Sequence, residues 1–261
     1  MKQPKTILIT GANSGIGEAL AIEYSSPKTK LFLIARNKKK LENTKIKCEK
    51  KGSNIEIASI DVREKEKLSK YFTKISKNNN IDLVIANAGI SANKISDIEE
   101  ETQIEELIDI NIKGVINIIN PAQRIMMKQN YGQIVIMSSL ASFKAVAGSE
   151  SYSATKAYVR IFGEGLRLKL AKFNIKINVI CPGYVKTPLT DLNNFPMPFL
   201  MNVEKAAKII RKGVEKNNAR ISFPWQLYYL ILIITFLPTK LSDYIFLKIP
   251  KYSKKEQWKY T

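Results

Sequence analysis

The chain has 261 residues, 45% of them hydrophobic and 25% charged, which suits one α/β domain with a sizeable buried core. Histidine is absent, which excludes Ser-His-Asp and Cys-His catalysis, and the two cysteines, Cys48 and Cys181, lie far apart, so neither a disulfide framework nor a metal site is expected. The net charge of +19 is large, but no nucleic-acid recognition motif accompanies it, so we expect solvated surface charge and no nucleic-acid partner.

Strand-like and helix-like patterns alternate along the first 180 residues, which is typical of a doubly wound sheet of parallel strands. The predicted strands are residues 7–10, 30–35, 55–60, 83–86, 133–138 and 176–181, with an edge strand at 219–223. The predicted helices are residues 16–25, 39–50, 65–77, 102–130 and 152–173. We predict a Rossmann-type α/β domain over residues 1–222, with a substrate lid near 188–204, and an apolar and basic appendage over 223–261.

A glycine-rich turn follows the first strand and runs into a helical pattern. A strand, a glycine turn and a helix form the setting that a dinucleotide-binding loop needs. Glycines let backbone N–H groups approach a pyrophosphate, and the helix N-terminus adds partial positive charge. The spacing is Gly-x-x-x-Gly-x-Gly, not the commoner Gly-x-Gly-x-x-Gly. The residues predicted to bind a nucleotide here are Gly11, Asn13, Ser14, Gly15, Ile16 and Gly17.

Tyr152 and Lys156 lie four residues apart in a predicted helix, and Ser139 lies thirteen residues before the tyrosine. Positions i and i+4 share a helix face. A lysine ammonium beside a phenol favours the phenolate, so we expect a lowered pKa for Tyr152 and proton transfer near neutral pH. A serine hydroxyl alongside can hydrogen-bond the same substrate oxygen. Ser138 is an alternative, but the spacing to the tyrosine favours Ser139.

In order and spacing, these motifs resemble the classical short-chain dehydrogenase/reductase family over about residues 5–190. The resemblance implies a Rossmann fold, an NAD(P) cofactor and hydride transfer between the nicotinamide and a carbonyl or alcohol carbon. It implies a catalytic set of Asn111, Ser139, Tyr152 and Lys156. Beyond the glycine turn it implies cofactor contacts from Asp61, Val62, Asn87, Ala88, Gly89, Tyr152, Lys156, Pro182, Gly183, Val185 and Thr187.

The resemblance also implies a role for each catalytic residue. Ser139 orients the substrate oxygen, and Tyr152 is the general acid in reduction and the base in oxidation. Lys156 keeps its charge near the phenol and holds the nicotinamide ribose. Asn111 anchors a water that connects Lys156 to solvent.

The end of the second strand favours NADP over NAD. An acidic residue there would hydrogen-bond the ribose hydroxyls and repel a 2′-phosphate, but the position carries Ala35, and Arg36 follows. An arginine grips a phosphate through charge-assisted hydrogen bonds. Ser14 departs from this pattern, because some NADP-using members of the family carry a basic residue before the second glycine.

The C-terminal part contains two apolar stretches. Residues 195–201, Phe-Pro-Met-Pro-Phe-Leu-Met, are predicted to cover the pocket and indicate an apolar substrate, although packing onto the body of the protein would explain them as well. Residues 227–237 are nearly all apolar but too short to span a bilayer. From Lys205 onward there are 12 Lys or Arg and 3 Asp or Glu, a balance of +9. We therefore expect peripheral membrane contact through 223–261; the alternative is a subunit contact or a core helix pair.

Three functions remain open at this stage. The first is an NADP-dependent reductase of an apolar or lipid-like ketone, such as a long-chain, acyl, sphingoid or sterol-like carbonyl. The second is a soluble dehydrogenase of small alcohols or sugars, and the third is a nucleotide-sensing protein without turnover. The N-terminus has no secretory signal, so we expect a cytoplasmic protein, with the cytoplasmic face of a membrane as the alternative location. A homo-oligomer is also expected from the resemblance, whereas the substrate and the physiological direction stay undetermined.

Overall fold

The computed structural model describes residues 3–91, 100–145, 148–191 and 196–247. Within these ranges seven parallel strands form one sheet. They are β1 Thr6–Thr10, β2 Lys30–Ala35, β3 Asn54–Ser59, β4 Leu83–Ala86, β5 Gly132–Met137, β6 Ile175–Pro182 and β7 Arg220–Phe223. Their order in the sheet is β3-β2-β1-β4-β5-β6-β7, so the chain reverses its direction of winding between β1 and β4. The predicted Rossmann-type sheet is confirmed.

The helices cover both faces of the sheet. They are α1 Gly15–Tyr24, α2 Lys38–Glu49, α3 Lys65–Ser76, α4 Glu101–Ile108, α5 Val115–Gln129, α6 Glu150–Leu170, α7 Val203–Glu215, α8 Trp225–Phe236 and α9 Thr239–Leu247. Buried side chains of α1, α2 and α7 form one core with the sheet, and those of α3, α5 and α6 form the other. The protein is thus a three-layer α/β/α single domain.

Successive residues of a strand pack alternately into the two cores. In β1, Ile7 and Ile9 belong to the first core, whereas Leu8 belongs to the second. Strand β2 repeats this arrangement, and all four residues of β4 are buried. A parallel sheet that is covered on both faces requires such continuous apolar runs, because side chains point alternately to the two layers. These runs are the reason that the strands were predicted to within about two residues.

The predicted helix over 102–130 is the main error in the secondary structure. The segment consists of α4, a π-helical turn at Asp109–Gly114 and α5. A π turn accommodates one extra residue without breaking the apolar stripe on either side, so periodicity alone does not reveal it. Helix α7 was not predicted, although Ala206, Ala207, Ile210 and Val214 form a buried stripe at helical spacing.

The predicted edge strand at 219–223 is confirmed as β7, and the chain continues into α8 and α9. Most of the predicted lid near 188–204, including residues 196–201 of its apolar stretch, is described, but residues 192–195 and the basic tail after 247 lie outside the described residues. No described helix has the length and apolar character that crossing a bilayer would require.

Candidate active site

The predicted site residues converge on one edge of the sheet. The glycine turn follows β1, Arg36 follows β2, Asp61 follows β3, Asn87 follows β4 and Ser139 follows β5. The carboxyl ends of parallel strands meet at this edge, and ligands of doubly wound sheets bind in the crevice where the winding reverses. A cavity of about 420 Å³ lies there. The predicted residues that line it are Gly11, Asn13, Ser14, Gly15, Ile16, Arg36, Asp61, Val62, Asn87, Ala88, Gly89, Ser139, Tyr152, Lys156, Pro182, Gly183, Val185 and Thr187.

Hydrogen bonds connect the glycine turn to the residues that follow β4. The Asn87 amide donates to the carbonyl oxygens of Thr10 (3.0 Å) and Gly11 (3.3 Å), and the Thr10 hydroxyl accepts from the N–H groups of Asn87 and Ala88, each at 3.2 Å. Gly11 has φ +65°, and a Cβ there would lie 2.9 Å from the Ala88 Cα. Only glycine suits that conformation and that closeness. The turn and the start of the β4 loop therefore form one rigid wall.

Gly17 has a structural position and does not line the cavity. A side chain on it would overlap the Gly11 carbonyl oxygen and lie 2.5 Å from the Asn87 amide nitrogen. Sequence reasoning grouped it with the cofactor contacts because it belongs to the same motif. The structure shows instead that it lets α1 approach the turn closely, which places the helix N-terminus at the cavity.

The loop after β6 closes the other side of the turn. Gly15, at φ +54°, would meet the Thr187 Cγ2 at 3.2 Å if it carried a Cβ. The Thr190 hydroxyl donates to the Val185 carbonyl at 2.7 Å and accepts from the Thr187 N–H at 2.9 Å. These bonds curl the loop back on itself. They hold Thr187 against the glycine turn.

A charged cluster lies at the end of the cavity beside β2 and β3. It consists of Arg36, Asp61 and Arg63. Arg36 is 55% exposed, and its NH1 lies 3.8 Å from the Asp61 Oδ2, whereas Arg63 NH2 lies 2.7 Å from the same oxygen. Partial burial pushes the pKa of Asp61 upward, but hydrogen bonds from the side chain and backbone of Arg63 outweigh it and hold that pKa below its ordinary value. Asp61 therefore stays ionised and is bound mainly by Arg63, and the guanidinium of Arg36 stays exposed to solvent.

The two neighbouring serines have different partners. The Ser138 hydroxyl is buried and donates to the Lys156 carbonyl at 2.8 Å, so it supports α6. The Ser139 hydroxyl accepts from the Ala141 N–H at 3.1 Å at the start of a 3₁₀ turn, and it hydrogen-bonds the Tyr152 phenol. The Ser138 hydroxyl is thus engaged with α6, whereas the Ser139 hydroxyl is next to the Tyr152 phenol.

Tyr152 and Lys156 face each other on the first turns of α6. The Lys156 Nζ lies 5.7 Å from the centre of the Tyr152 ring and donates to the Met137 carbonyl at 3.3 Å. Burial lowers the pKa of Lys156 to about 8. Burial also raises the pKa of Tyr152, with the Ser139 hydrogen bond acting against that rise. The expected lowering of the Tyr152 pKa is therefore wrong for this structure, because desolvation of the phenolate outweighs the stabilising contacts.

Asn111 lies in the π turn, fully buried behind the cavity wall. Its Oδ1 accepts from the Ile90 N–H at 2.9 Å, and its Nδ2 donates to the Ile90 carbonyl at 3.0 Å and to the Thr155 hydroxyl at 3.2 Å. A Cβ on Gly89 would lie 3.0 Å from Asn111 Oδ1 and 3.2 Å from Lys156 Nζ. Asn111 is thus close to Lys156, although it does not line the cavity itself. π turns often occur at functional sites.

Sequence reasoning missed most of the remaining wall, although the predicted lid near 188–204 already included residues 188–190. Nine further residues line the cavity: Ala35, Ile60, Ile90, Ile110, Met137, Ser138, Pro188, Leu189 and Thr190. Most carry no chemical group that a motif would mark. The sequence marks them only by their position, because most of them directly precede or follow a motif residue.

The chain matches known proteins over most of its length. The family model described as short chain dehydrogenase matches residues 5–195. An uncharacterised oxidoreductase of Myxococcus xanthus (strain DK1622) is 33% identical over 240 residues, which are 92% of this chain and 95% of that protein. An uncharacterised oxidoreductase of Staphylococcus aureus (strain MW2) is 34% identical over 193 residues, 73% of this chain and 82% of that protein.

Two solved structures show the same fold. A short-chain dehydrogenase from Sphingobium yanoikuyae in complex with NADPH has a TM-score of 0.78 at 22% identity, and 98% of each chain is covered. A short-chain dehydrogenase from Mycobacterium paratuberculosis bound to NAD has a TM-score of 0.74 at 23% identity, covering 85% of this chain and 97% of that one. The family match spans every strand from β1 to β6 and the whole cavity edge. This chain belongs to the short-chain dehydrogenase family and is an NAD(P)-dependent oxidoreductase.

Proposed function

We propose that the enzyme reduces an apolar ketone with NADPH. One observation carries the choice of cofactor. At the end of β2 the chain has Ala35 where a carboxylate would favour NAD, and the half-exposed guanidinium of Arg36 borders the nucleotide cavity. A 2′-phosphate there would gain a charge-assisted contact and would meet no carboxylate at that strand end.

The catalytic residues have the positions that such a reduction needs. A bound nicotinamide supplies the hydride. The Ser139 hydroxyl hydrogen-bonds the carbonyl oxygen, and the Tyr152 phenol, whose pKa burial raises above its ordinary value, donates a proton to that oxygen. Lys156, largely charged at neutral pH with a pKa of about 8, holds the ribose and returns a proton toward the phenol. Asn111 holds the loop after β4 in place beside Lys156 through its two hydrogen bonds to Ile90.

Apolar residues next to the catalytic group support an apolar substrate. Tyr184 lies close enough to Tyr152 to influence its pKa, and it packs with Leu140 and Leu227 in a small apolar cluster. Leu189 lines the cavity and is exposed, and Leu200 of the predicted lid region is exposed as well. A small polar alcohol would leave this surface uncovered, whereas an apolar chain would bury it.

Equilibrium binding of the two reduced cofactors tests the cofactor choice. Arg63→Ala is a comparison variant, because Arg63 also contacts Asp61 but, unlike Arg36, does not line the cavity of about 420 Å³. We expect Arg36→Ala to weaken NADPH binding about tenfold or more and to change NADH binding less than about twofold, since a charge-assisted hydrogen bond contributes roughly 1.5–3 kcal/mol. Equal binding of both cofactors by the unchanged enzyme would refute the NADP assignment.

The substrate class is tested by NADPH oxidation with 2-ketones of increasing chain length. We expect kcat/KM to rise with chain length and Tyr152→Phe to lower it by about 10² or more while NADPH still binds. A preference for short polar carbonyls would favour a dehydrogenase of small alcohols or sugars. NADPH binding without any turnover would favour a sensing role.

A further inference from the structure

Helices α8 and α9 carry an exposed apolar surface, which we call the α8–α9 face. Its members are Trp225, Tyr229, Leu230, Ile233, Phe236, Leu241 and Tyr244, and Phe236 is 85% exposed. In α8, positions 225, 229, 233 and 236 are spaced by four, four and three residues, so they form one stripe along the helix. Exposed apolar residues in such a contiguous row mark a binding surface more often than scattered ones do.

The opposite side of α8 is firmly attached to the body of the protein. Leu227 is buried in the cluster that includes Leu140 and Cys181, and the Tyr228 ring lies 5.5 Å from the Phe143 ring. No charged residue occurs between positions 225 and 239. An ordinary surface helix has a polar outer face, whereas α8 is apolar on both its inner and its outer side. The helix therefore presents its outer side in a fixed orientation, and that side is suited to an apolar environment.

Charge decides which occupant suits this face. The chain carries +19 in total, and the residues from 248 to 261, directly after α9, include five lysines and one glutamate, a balance of 5 − 1 = +4. A second copy bound face to face would bring the same positive charges close together. A bilayer with anionic headgroups offers the opposite charge, and its interface favours aromatic residues such as Trp225, Tyr229 and Tyr244.

We propose that the α8–α9 face binds to the surface of an anionic lipid bilayer, with the helices lying in the interface. Helix α8 has 12 residues, which is about 18 Å of helix and too short to cross the hydrocarbon core. The inner side of α8 packs beside the catalytic edge, since a Cβ on Gly183 would lie 3.0 Å from Leu227 and 3.1 Å from Pro224. This proposal concerns the surface alone and does not depend on the proposed substrate or cofactor.

Vesicle flotation tests the proposal with the full-length chain. The probes are phosphatidylcholine vesicles and vesicles with about 30% phosphatidylglycerol, each at low and high salt. The test variant is Phe236→Glu, and the matched control is Leu168→Glu, because Leu168 is 81% exposed and belongs to α6, not to α8 or α9. We expect the enzyme and the control to float with anionic vesicles, and Phe236→Glu to lower the partition coefficient about tenfold or more. Salt should weaken the binding.

Other outcomes overturn the proposal. It is wrong if the unchanged protein fails to float with anionic vesicles, or if Leu168→Glu reduces flotation as much as Phe236→Glu. Sedimentation velocity without lipid identifies the main rival: a dimer that Phe236→Glu converts to a monomer, with no flotation, would assign the face to self-association. A second variant, Ile233→Gln, removes apolar contact without adding charge, and the thermal unfolding temperature and NADPH binding show whether each variant is folded.

Discussion

At the scale of single residues, Lys156 is an unusual group among those that the structure describes. Its side chain is only 5% exposed, and burial lowers its pKa to about 8 from the ordinary 10.5. A charged amine in a poorly solvated site is costly, and here one carbonyl hydrogen bond and the nearby phenol offset part of that cost. Such perturbed groups concentrate at functional sites. The lysine is therefore a source of instability that the protein retains at its catalytic edge.

The pH dependence of stability should reveal this lysine. Between pH 8 and 10.5 the unfolded chain keeps the Lys156 proton that the folded protein has released, so the free energy of unfolding rises with pH in that window. The rise is on the order of 3 kcal/mol at most. The Lys156→Met variant should lack this rise in the free energy of unfolding, because the two proteins have all their other titrating groups in common. Urea unfolding of both proteins at pH 7.5, 8.5 and 9.5 measures the difference. Parallel curves would show that Lys156 is not perturbed.

The adjacent serines provide a second test at this scale. Ser139→Ala should lower kcat by about 10², because its hydroxyl hydrogen-bonds the Tyr152 phenol, and should cost about 1 kcal/mol of stability, because the Ala141 N–H loses its acceptor. Ser138→Ala should keep most of the activity but lose about 1 kcal/mol of stability, since its hydroxyl supports α6 through the Lys156 carbonyl. Steady-state kinetics and urea unfolding measure both effects. A large loss of kcat in Ser138→Ala, with activity kept in Ser139→Ala, would assign the catalytic hydroxyl to Ser138.

At the scale of elements, the close approach of α1 to the β1 turn depends on a missing side chain. Gly17 leaves space for the Gly11 carbonyl and the Asn87 amide, and that amide in turn bonds Thr10 and Gly11. Strand β1, the start of α1 and the end of β4 are therefore held together by direct contacts. The position of the helix N-terminus, which is the attractive end for a pyrophosphate, follows from this contact.

A pair of glycine substitutions in helices tests this contact. Gly17→Ala should destabilise the protein by about 1–3 kcal/mol, because the new methyl group meets backbone and amide atoms that cannot move apart freely. Gly165→Ala is the control: nothing lies within 4 Å of the new methyl group, so it should stabilise α6 by about 0.5–1 kcal/mol. Urea unfolding measures both. Equal effects would mean that helix propensity, not the contact, dominates at residue 17.

At the scale of the whole molecule, the net charge of +19 opposes folding. Many exposed ion pairs, such as Lys45–Glu49 and Lys113–Asp109, join helix residues one turn apart, and each contributes little. Nineteen uncompensated positive charges repel each other in the compact state more than in the extended chain. The same excess strengthens attraction to phosphates and to anionic surfaces at low salt.

Salt should therefore stabilise the folded protein. Raising NaCl from 0.1 to 1 M shortens the screening length from about 10 Å to about 3 Å. We expect the melting temperature to rise by about 2–4 °C for each kcal/mol of relieved repulsion. Replacing Lys39 and Lys40 by Glu lowers the charge by four, from +19 to +15, and should reduce the salt effect. Calorimetry at both salt concentrations measures it. A melting temperature that falls with salt in both proteins would show that attractive pairs dominate.

The sequence by itself determined the architecture and most of the candidate site. Buried parallel strands need continuous apolar runs, and glycines are needed where the backbone takes a left-handed conformation, so both features are visible in the residues themselves. The strand ends carry the motif residues, and because parallel strands end at one edge, the order of motifs along the chain already predicts their convergence. The family resemblance had the same basis, and the family match confirmed it.

Only the tertiary structure decided how the individual groups behave there. The π turn that places Asn111, the close contact that removes Gly17 from the cavity wall and the different partners of Ser138 and Ser139 depend on atoms far apart in sequence. The pKa of Tyr152 was predicted in the wrong direction, because spacing reports which residues are neighbours and not how much water they lose. Local patterns specify elements and their order, whereas desolvation and close contacts exist only once the chain has packed.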